Sequence, residues 1–370
     1  MGRLRDLSLA SAFAVLLLAP AVFALWKPHW SLVPNATQWP LPKEPWRRSF
    51  PTQFEKFFDT HLGLRRQLVM AQSALDFFIF RAASSPAVVV GEDGWAFLNQ
   101  DFMPQSIAGG EFPPWELEQW LSVFKQTQRF VSAWGGQLLV VVAPNKATIY
   151  PEHLPTQMRT NRKPPRLDQF YAALNAASIE ALDLRPALYG AKSQGLLYGK
   201  RETHWVGRGV SVASIAIAEK LCRILGRPPS LTANQISFHS QRHTGDLMSM
   251  LALDGWADEL VEAPNVTPAK VKRLPLPPSE VSAGQFVFKE GAVVYQAEES
   301  DGTSILFHHD SFGPPLHAVL PHAFGRSIWL YWTGSFNHFV LARERPAVVV
   351  YLMAERYLHR EPPGRPFVGR

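Results

Sequence analysis

The sequence predicts one three-layer α/β domain, a mainly parallel sheet between helical layers, and two observations carry that prediction. Four short runs, at residues 138–143, 304–307, 328–332 and 347–352, are apolar at nearly every position rather than at alternate ones. Strands of that kind are buried on both faces. Each run also lies near a segment of helical period, as in a parallel sheet covered by helices. With 370 residues, 46% of them hydrophobic and 18% charged, the chain is long enough to enclose such a core.

The N-terminus is of another kind. Arg3 and Arg5 precede an uncharged apolar run over residues 7–26, close to the roughly 20 residues that cross a bilayer. An anchor or export signal is expected over 1–26, with the arginines in the cytoplasm and the rest delivered outside. Val22-Phe23-Ala24 is a poor cleavage match, which favours an uncleaved anchor. Residues 27–51, rich in Pro and Trp, read as an extended spacer. The folded domain is placed at 52–370.

Within it, Phe54, Phe57, Phe58, Leu62, Leu68, Leu75 and Phe78 recur near helical spacing, which predicts one amphipathic helix with its stripe on the core. Asp93-Gly94 between apolar runs at 87–90 and 95–98 is a hairpin signal. A helix over 114–134 is stopped by Gly135-Gly136, and one over 207–225 by Gly226. Between 229 and 300 the periodicity weakens, so an insertion with short strands is expected there. The lone Cys222 has no disulfide partner, and the fold must rest on its core. The net charge of +6 is scattered without a basic block, so no nucleic-acid partner is indicated. Neither a metal nor a cofactor is expected.

Ligands of such sheets lie beyond the carboxyl ends of the strands. Ser311 stands there, in His308-His309-Asp310-Ser311-Phe312-Gly313, between a buried strand and a helix start. Amide groups at such a start suit an oxyanion. A serine hydroxyl needs a histidine to take its proton and a carboxylate to orient that histidine. Glu202 and His204, two residues apart ahead of the helix at 207, supply that pair. Asn145 and Lys146 follow the run 138–143 and fall at the same sheet edge. The amide is a candidate oxyanion donor, and the lysine a candidate contact for a uronate or the acyl donor. Asp310 is expected to shape its turn through its side chain.

An ordered set of stretches then carries a resemblance: Phe54-Glu55-Lys56-Phe57-Phe58 with His61 and Arg65; Gly91-Glu92-Asp93-Gly94-Trp95; Pro144-Asn145-Lys146 with Tyr150-Pro151-Glu152; Glu202-Thr203-His204-Trp205; Gly245-Asp246-Leu247; and Asp310-Ser311-Phe312. Together they span about residues 50–356 and resemble the AlgJ/AlgX family of alginate O-acetyltransferases. The resemblance implies a circularly permuted SGNH-hydrolase-like domain, with His204 as base and Ser311 as acyl-carrying nucleophile. It also implies a secreted, alginate-like polysaccharide as acceptor, a polytopic membrane acyltransferase as supplier of the acyl group, and a periplasmic domain tethered to the inner membrane. The family pattern has aspartate where this chain has Glu202. Arg65, Gly94 and Asp246 are expected to serve the fold. The alternatives are a carbohydrate acetylesterase using the same triad and a non-catalytic polysaccharide-binding subunit of an export complex.

Overall fold

The computed structural model describes residues 42–61, 65–160, 162–268, 271–275, 292–298, 302–331 and 338–360, with Phe336, Pro362 and a few positions between 11 and 22. The expected anchor and most of the spacer lie outside them, and among the described residues no helix is long and apolar enough to cross a membrane. The chain forms two compact units, residues 1–84 with 251–256, and residues 85–250 with 257–370. Residues 52–84 therefore group with the N-terminal unit, not with the single domain expected from 52 onward.

In that first unit the amphipathic segment is two helices, Phe50–His61 and Arg65–Ala74, followed by a π-turn over Leu75–Phe80. The described part of its stripe is not core. Phe54, Leu68, Leu75 and Phe78 are exposed and Phe77 is buried. Period alone locates an apolar face but does not say what covers it.

The larger unit is built on a seven-stranded sheet. Its strands are β3 (Gln137–Ala143), β4 (Ala181–Asp183), β7 (Val271–Pro275), β8 (Val293–Ala297), β9 (Ser304–His309), β10 (Arg326–Tyr331) and β11 (Val348–Ala354), in the order β4-β3-β11-β9-β10-β8-β7. The first five in that order are parallel, and β8 and β7 continue the edge antiparallel. All four continuous apolar runs are thus parallel strands, with Trp332 of the third outside the described residues. Part of the expected insertion widens this sheet. The rest is the hairpin β5 (Ile236–His243) with β6 (Glu259–Val266). A further hairpin, β1 (Val88–Val90) with β2 (Ala96–Leu98), turns at Asp93 and Gly94, both at positive φ, as the Asp-Gly pair predicts.

Alternation along the buried strands divides the core in two. Leu138, Val140, Val142, Leu306, Leu330 and Tyr351 pack with Trp120 and Phe124 of the helix Pro114–Ser132 and with Phe170 of the helix Arg166–Ala176. The intervening Leu139, Val141, Ile305, Phe307, Val350 and Leu352 are equally buried on the other face. There Phe307 meets Phe324, and the turn just before it, Leu320–Ala323, packs on the helix Gly207–Ile224. The three layers read from the sequence are present.

Candidate active site

The parallel strands end at one edge, and two buried carboxylates fasten those ends together. Asp310, directly after β9, accepts the Phe312 amide at 2.9 Å and, from the end of β11, the Ala354 amide at 2.6 Å. Glu355, directly after β11, accepts the Asn145 amide beyond β3 at 2.8 Å. Burial raises both carboxyls above their usual range, and the amides and nearby arginines pull against it. Asp310 shapes its turn as the sequence led one to expect. The result is a ledge across β3, β11 and β9, on which half-buried Ser311 stands ahead of the short helix Gly313–Leu316.

Glu202 and His204 come from a tight loop ahead of the helix Gly207–Ile224. The Val206 amide donates to the Leu197 carbonyl at 2.9 Å, and a Tyr198–Trp205 bridge closes the loop. Buried backbone groups must find partners, and here side chains supply them. The Lys146 ammonium donates to the carbonyls of Gly199, Lys200 and Glu202 at 3.2, 3.1 and 2.8 Å. The Glu259 carboxylate accepts the amides of Lys200 and Arg201 at 2.9 and 3.1 Å, and Asp246 accepts that of Thr203 at 2.7 Å. Gly245 permits the last contact. A Cβ there would run into the Arg201 carbonyl and lie 2.9 Å from the Glu202 nitrogen.

Held this way, Glu202 places Oε1 2.6 Å from Nδ1 of His204 and 3.1 Å from the His204 amide. Its other oxygen, Oε2, lies 2.8 Å from Nε2 of His243 and accepts the Asp246 amide at 3.2 Å. Burial alone would raise the Glu202 carboxyl, but the bonds from His204 and His243 outweigh it and hold the group well below the ordinary carboxylate range. Asp246 moves the other way, raised by burial and by the neighbouring Glu202 charge. Glu202, His204 and Asp246 have donor atoms within 4.8 Å of one another, a spacing a cation could span. Both Glu202 oxygens are already bonded to N–H donors, and a hydrogen-bond network accounts for the geometry.

The loop of His204 packs against the turn that holds Ser311, through Phe312. The His204 ring lies edge-on to Phe312, the residue after Ser311, with centroids 5.0 Å apart, and Trp205 Nε1 donates to the Phe312 carbonyl at 3.1 Å. Among the described residues Nε2 of His204 has no hydrogen-bond partner, Ser311 included. Of the amides in the turn, those of Phe312 and Gly313 are bonded to Asp310, so the oxyanion donors expected at this helix start are partly engaged.

Asn145 and Lys146 are placed differently from each other. Asn145 is buried, its Nδ2 donating to Ser106 Oγ at 2.8 Å while Oδ1 has no partner among the described residues. Lys146 is a correction. It is 2% exposed, lies under Trp95 and Phe97, and gives its hydrogen bonds to backbone, so it meets neither a uronate nor an acyl donor. Burial lowers its ammonium to about 8 against the pull of Asp246, Glu259 and Glu202. Asp246, expected only to serve the fold, has Oδ2 3.8 Å from Nδ1 of His204. His243 was not singled out by any motif.

Two cavities flank the segment after Ser311. One, of about 360 Å³, is lined by Glu202, His204, His243, Val261, Pro315 and Ala318 among others. The other, of about 560 Å³, has Arg273, Tyr295, His309, His317, Trp329 and Tyr331 in its lining, with Pro314. Positions 314 and 317 thus face one cavity and 315 and 318 the other, so this helical turn is the wall between them.

Residues 88–289, which include Glu202 and His204, match the family described as the SGNH hydrolase-like domain of acetyltransferase AlgX. The probable alginate O-acetylase AlgJ of Pseudomonas aeruginosa is 29% identical over 213 residues, 57% of this chain and 52% of that protein. Its counterpart in Pseudomonas putida is 28% identical over 57% of this chain and 54% of its own length. The chain thus spans about half the length of these relatives. Among solved structures, the O-acetyltransferase domain of Pseudomonas putida AlgJ aligns at a TM-score of 0.50 and 21% identity, covering 75% of this chain and 94% of that one. Bacillus cereus PatB1 with a sulfonyl adduct aligns at 0.53 and 12% identity, covering 73% and 97%. The fold is SGNH-hydrolase-like α/β.

Proposed function

Since the chain belongs to the family of AlgX-type, SGNH hydrolase-like acetyltransferase domains, we propose that it is a serine-dependent O-acetyltransferase acting on a secreted, alginate-like polysaccharide. The observation that carries this reading is the Glu202–His204 pair, 2.6 Å apart, whose ring packs on the turn bearing Ser311 and keeps Nε2 unbonded. Ser311 Oγ attacks the donor's acyl carbonyl while His204 Nε2 takes its proton. The leaving group departs with that proton, and the acetyl ester stays on Ser311. An acceptor hydroxyl, deprotonated by the same nitrogen, attacks the ester, and its proton returns to Ser311 as the acetylated sugar leaves. The Ser311 amide and the Asn145 side chain are assigned to the oxyanion. Glutamate in place of aspartate reaches Nδ1 without difficulty, so the departure does not favour a non-catalytic subunit.

The larger cavity, with an indole, two phenols and one guanidinium, has the chemistry for a carboxylated pyranose. We place a neighbouring uronate of the acceptor chain there, with the sugar that reacts on the His204 side of the wall. In a mixture of a nitrophenyl acetate and an unacetylated uronate oligomer, mass spectrometry should find acetyl on the oligomer, and Arg273→Ala should raise the oligomer concentration needed. Acetate released to water with none on the oligomer would replace the transferase by the esterase reading.

The run over residues 7–26 is proposed to anchor the domain on the periplasmic side of the inner membrane, where a polytopic membrane acyltransferase would supply the acyl group. A reporter that works only in the cytoplasm, fused after residue 50, should stay silent. Its activity would refute this topology.

A further inference from the structure

Glutamate has one more rotatable bond than aspartate, so an unrestrained Glu202 would lose more side-chain freedom in holding His204. Only Oε1 touches His204. The carboxylate is restrained from the opposite side by His243 at the end of β5, 2.8 Å from Oε2, with the Asp246 amide 3.2 Å away. His243 comes from the β5–β6 hairpin, which carries no other part of the serine–histidine pair. We propose that His243 is a positioning residue of the acyl-transfer site, the second grip that keeps the longer glutamate side chain aligned on the His204 ring. The inference rests on the serine mechanism above for its kinetic consequence and on geometry alone for its structural one.

The charged groups around His243 are carboxylates on three elements: Glu202 in the loop, Asp246 after β5, and Glu259 directly across on β6. The Lys146 ammonium stands behind the Glu202 carbonyl. The hydrogen bond from Glu202, followed by the three negative charges and opposed by burial, raises the His243 imidazole above its ordinary value. In mildly acid solution His243 is therefore a cation shared with Glu202. Replacing it by a neutral donor leaves the full carboxylate charge on the His204 side, so the base keeps its proton to higher pH. The acid limb of the rate profile must then move upward.

The test uses the full-length chain with a nitrophenyl acetate. His243→Ala should lower kcat about tenfold with KM little changed, the scale of losing an orienting partner behind a functional imidazole. His243→Gln, whose amide can still donate to Oε2, should regain most of that kcat with its acid limb displaced to higher pH by a few tenths of a unit or more. A substrate-free readout is the imidazole Nδ1–H proton of His204, shifted downfield by its bond to Glu202. That resonance should be lost in His243→Ala and kept in His243→Gln. Unchanged kcat, limb and resonance in both variants would overturn the inference. If Ser311→Ala stayed active while the resonance behaved as stated, the serine mechanism would fail and the positioning role would stand.

Discussion

Ser311→Ala and His204→Ala should each remove about 10⁴-fold or more of the acyl-transfer rate, because members of a nucleophile–base pair act as a unit and the loss of either leaves an unactivated site. Ser311 is half-buried and the Asp310 and Glu355 clips do not use its side chain, so Ser311→Ala should leave the fold intact, whereas His204→Ala gives up the Nδ1 bond to Glu202 and should cost some stability. Glu202→Ala should cost less, since the carboxylate orients and stabilises the imidazole without bonding to substrate. It should cost some stability as well, because Glu202 also accepts the amides of His204 and Asp246. Initial rates on a chromogenic acetyl ester decide the order, with circular dichroism verifying that each variant is folded. A Ser311→Ala variant that kept wild-type rates would remove Ser311 from the mechanism.

What the sequence made legible follows from the range of each interaction. Strands buried on both faces announce themselves by continuous apolar runs, and the Asp93-Gly94 turn by its two residues. The core pair was legible too, for Glu202 and His204 are two residues apart and Ser311 follows a buried strand. The second half of the network was not. His243 and Asp246 meet Glu202 across 41 and 44 positions, through a hairpin with no periodic signature, and only the Gly245-Asp246-Leu247 stretch hinted that the segment mattered. The antiparallel edge of β8 and β7 escaped notice for a related reason. Short strands separated by Pro-rich sequence give no clue to which sheet they join. The aromatic stripe over 54–78 failed because helical period reports a face and not its burial.

Lys146 was misread because a lysine is exposed in most settings, and its burial sets up the other large effect. Lys146→Met keeps the length of the side chain and its packing under Trp95 and Phe97, but it removes the donor for three carbonyls, those of Gly199, Lys200 and Glu202. The Lys200 carbonyl keeps the Ala96 amide at 2.9 Å and that of Gly199 keeps the Glu202 amide at 3.4 Å, so of the three the Glu202 carbonyl is left alone, at a cost on the order of 1–3 kcal/mol. Against this, the variant no longer buries a charge, whose penalty is visible in the lowering of the ammonium to about 8. The loss wins, because the Glu202 carbonyl is left without its donor while the Asp246, Glu259 and Glu202 carboxylates lose the cation they face. We expect a net loss of about 2 kcal/mol, which for a unit of this size lowers Tm by roughly 3–6 °C. The loop these carbonyls belong to carries Glu202 and His204, so ester turnover should fall in the same variant even well below its Tm. Thermal unfolding followed by circular dichroism, paired with initial rates at a temperature where both proteins are folded, measures the two effects separately. A variant with unchanged Tm and unchanged rate would mean that Glu259 and Asp246 hold the loop without the lysine.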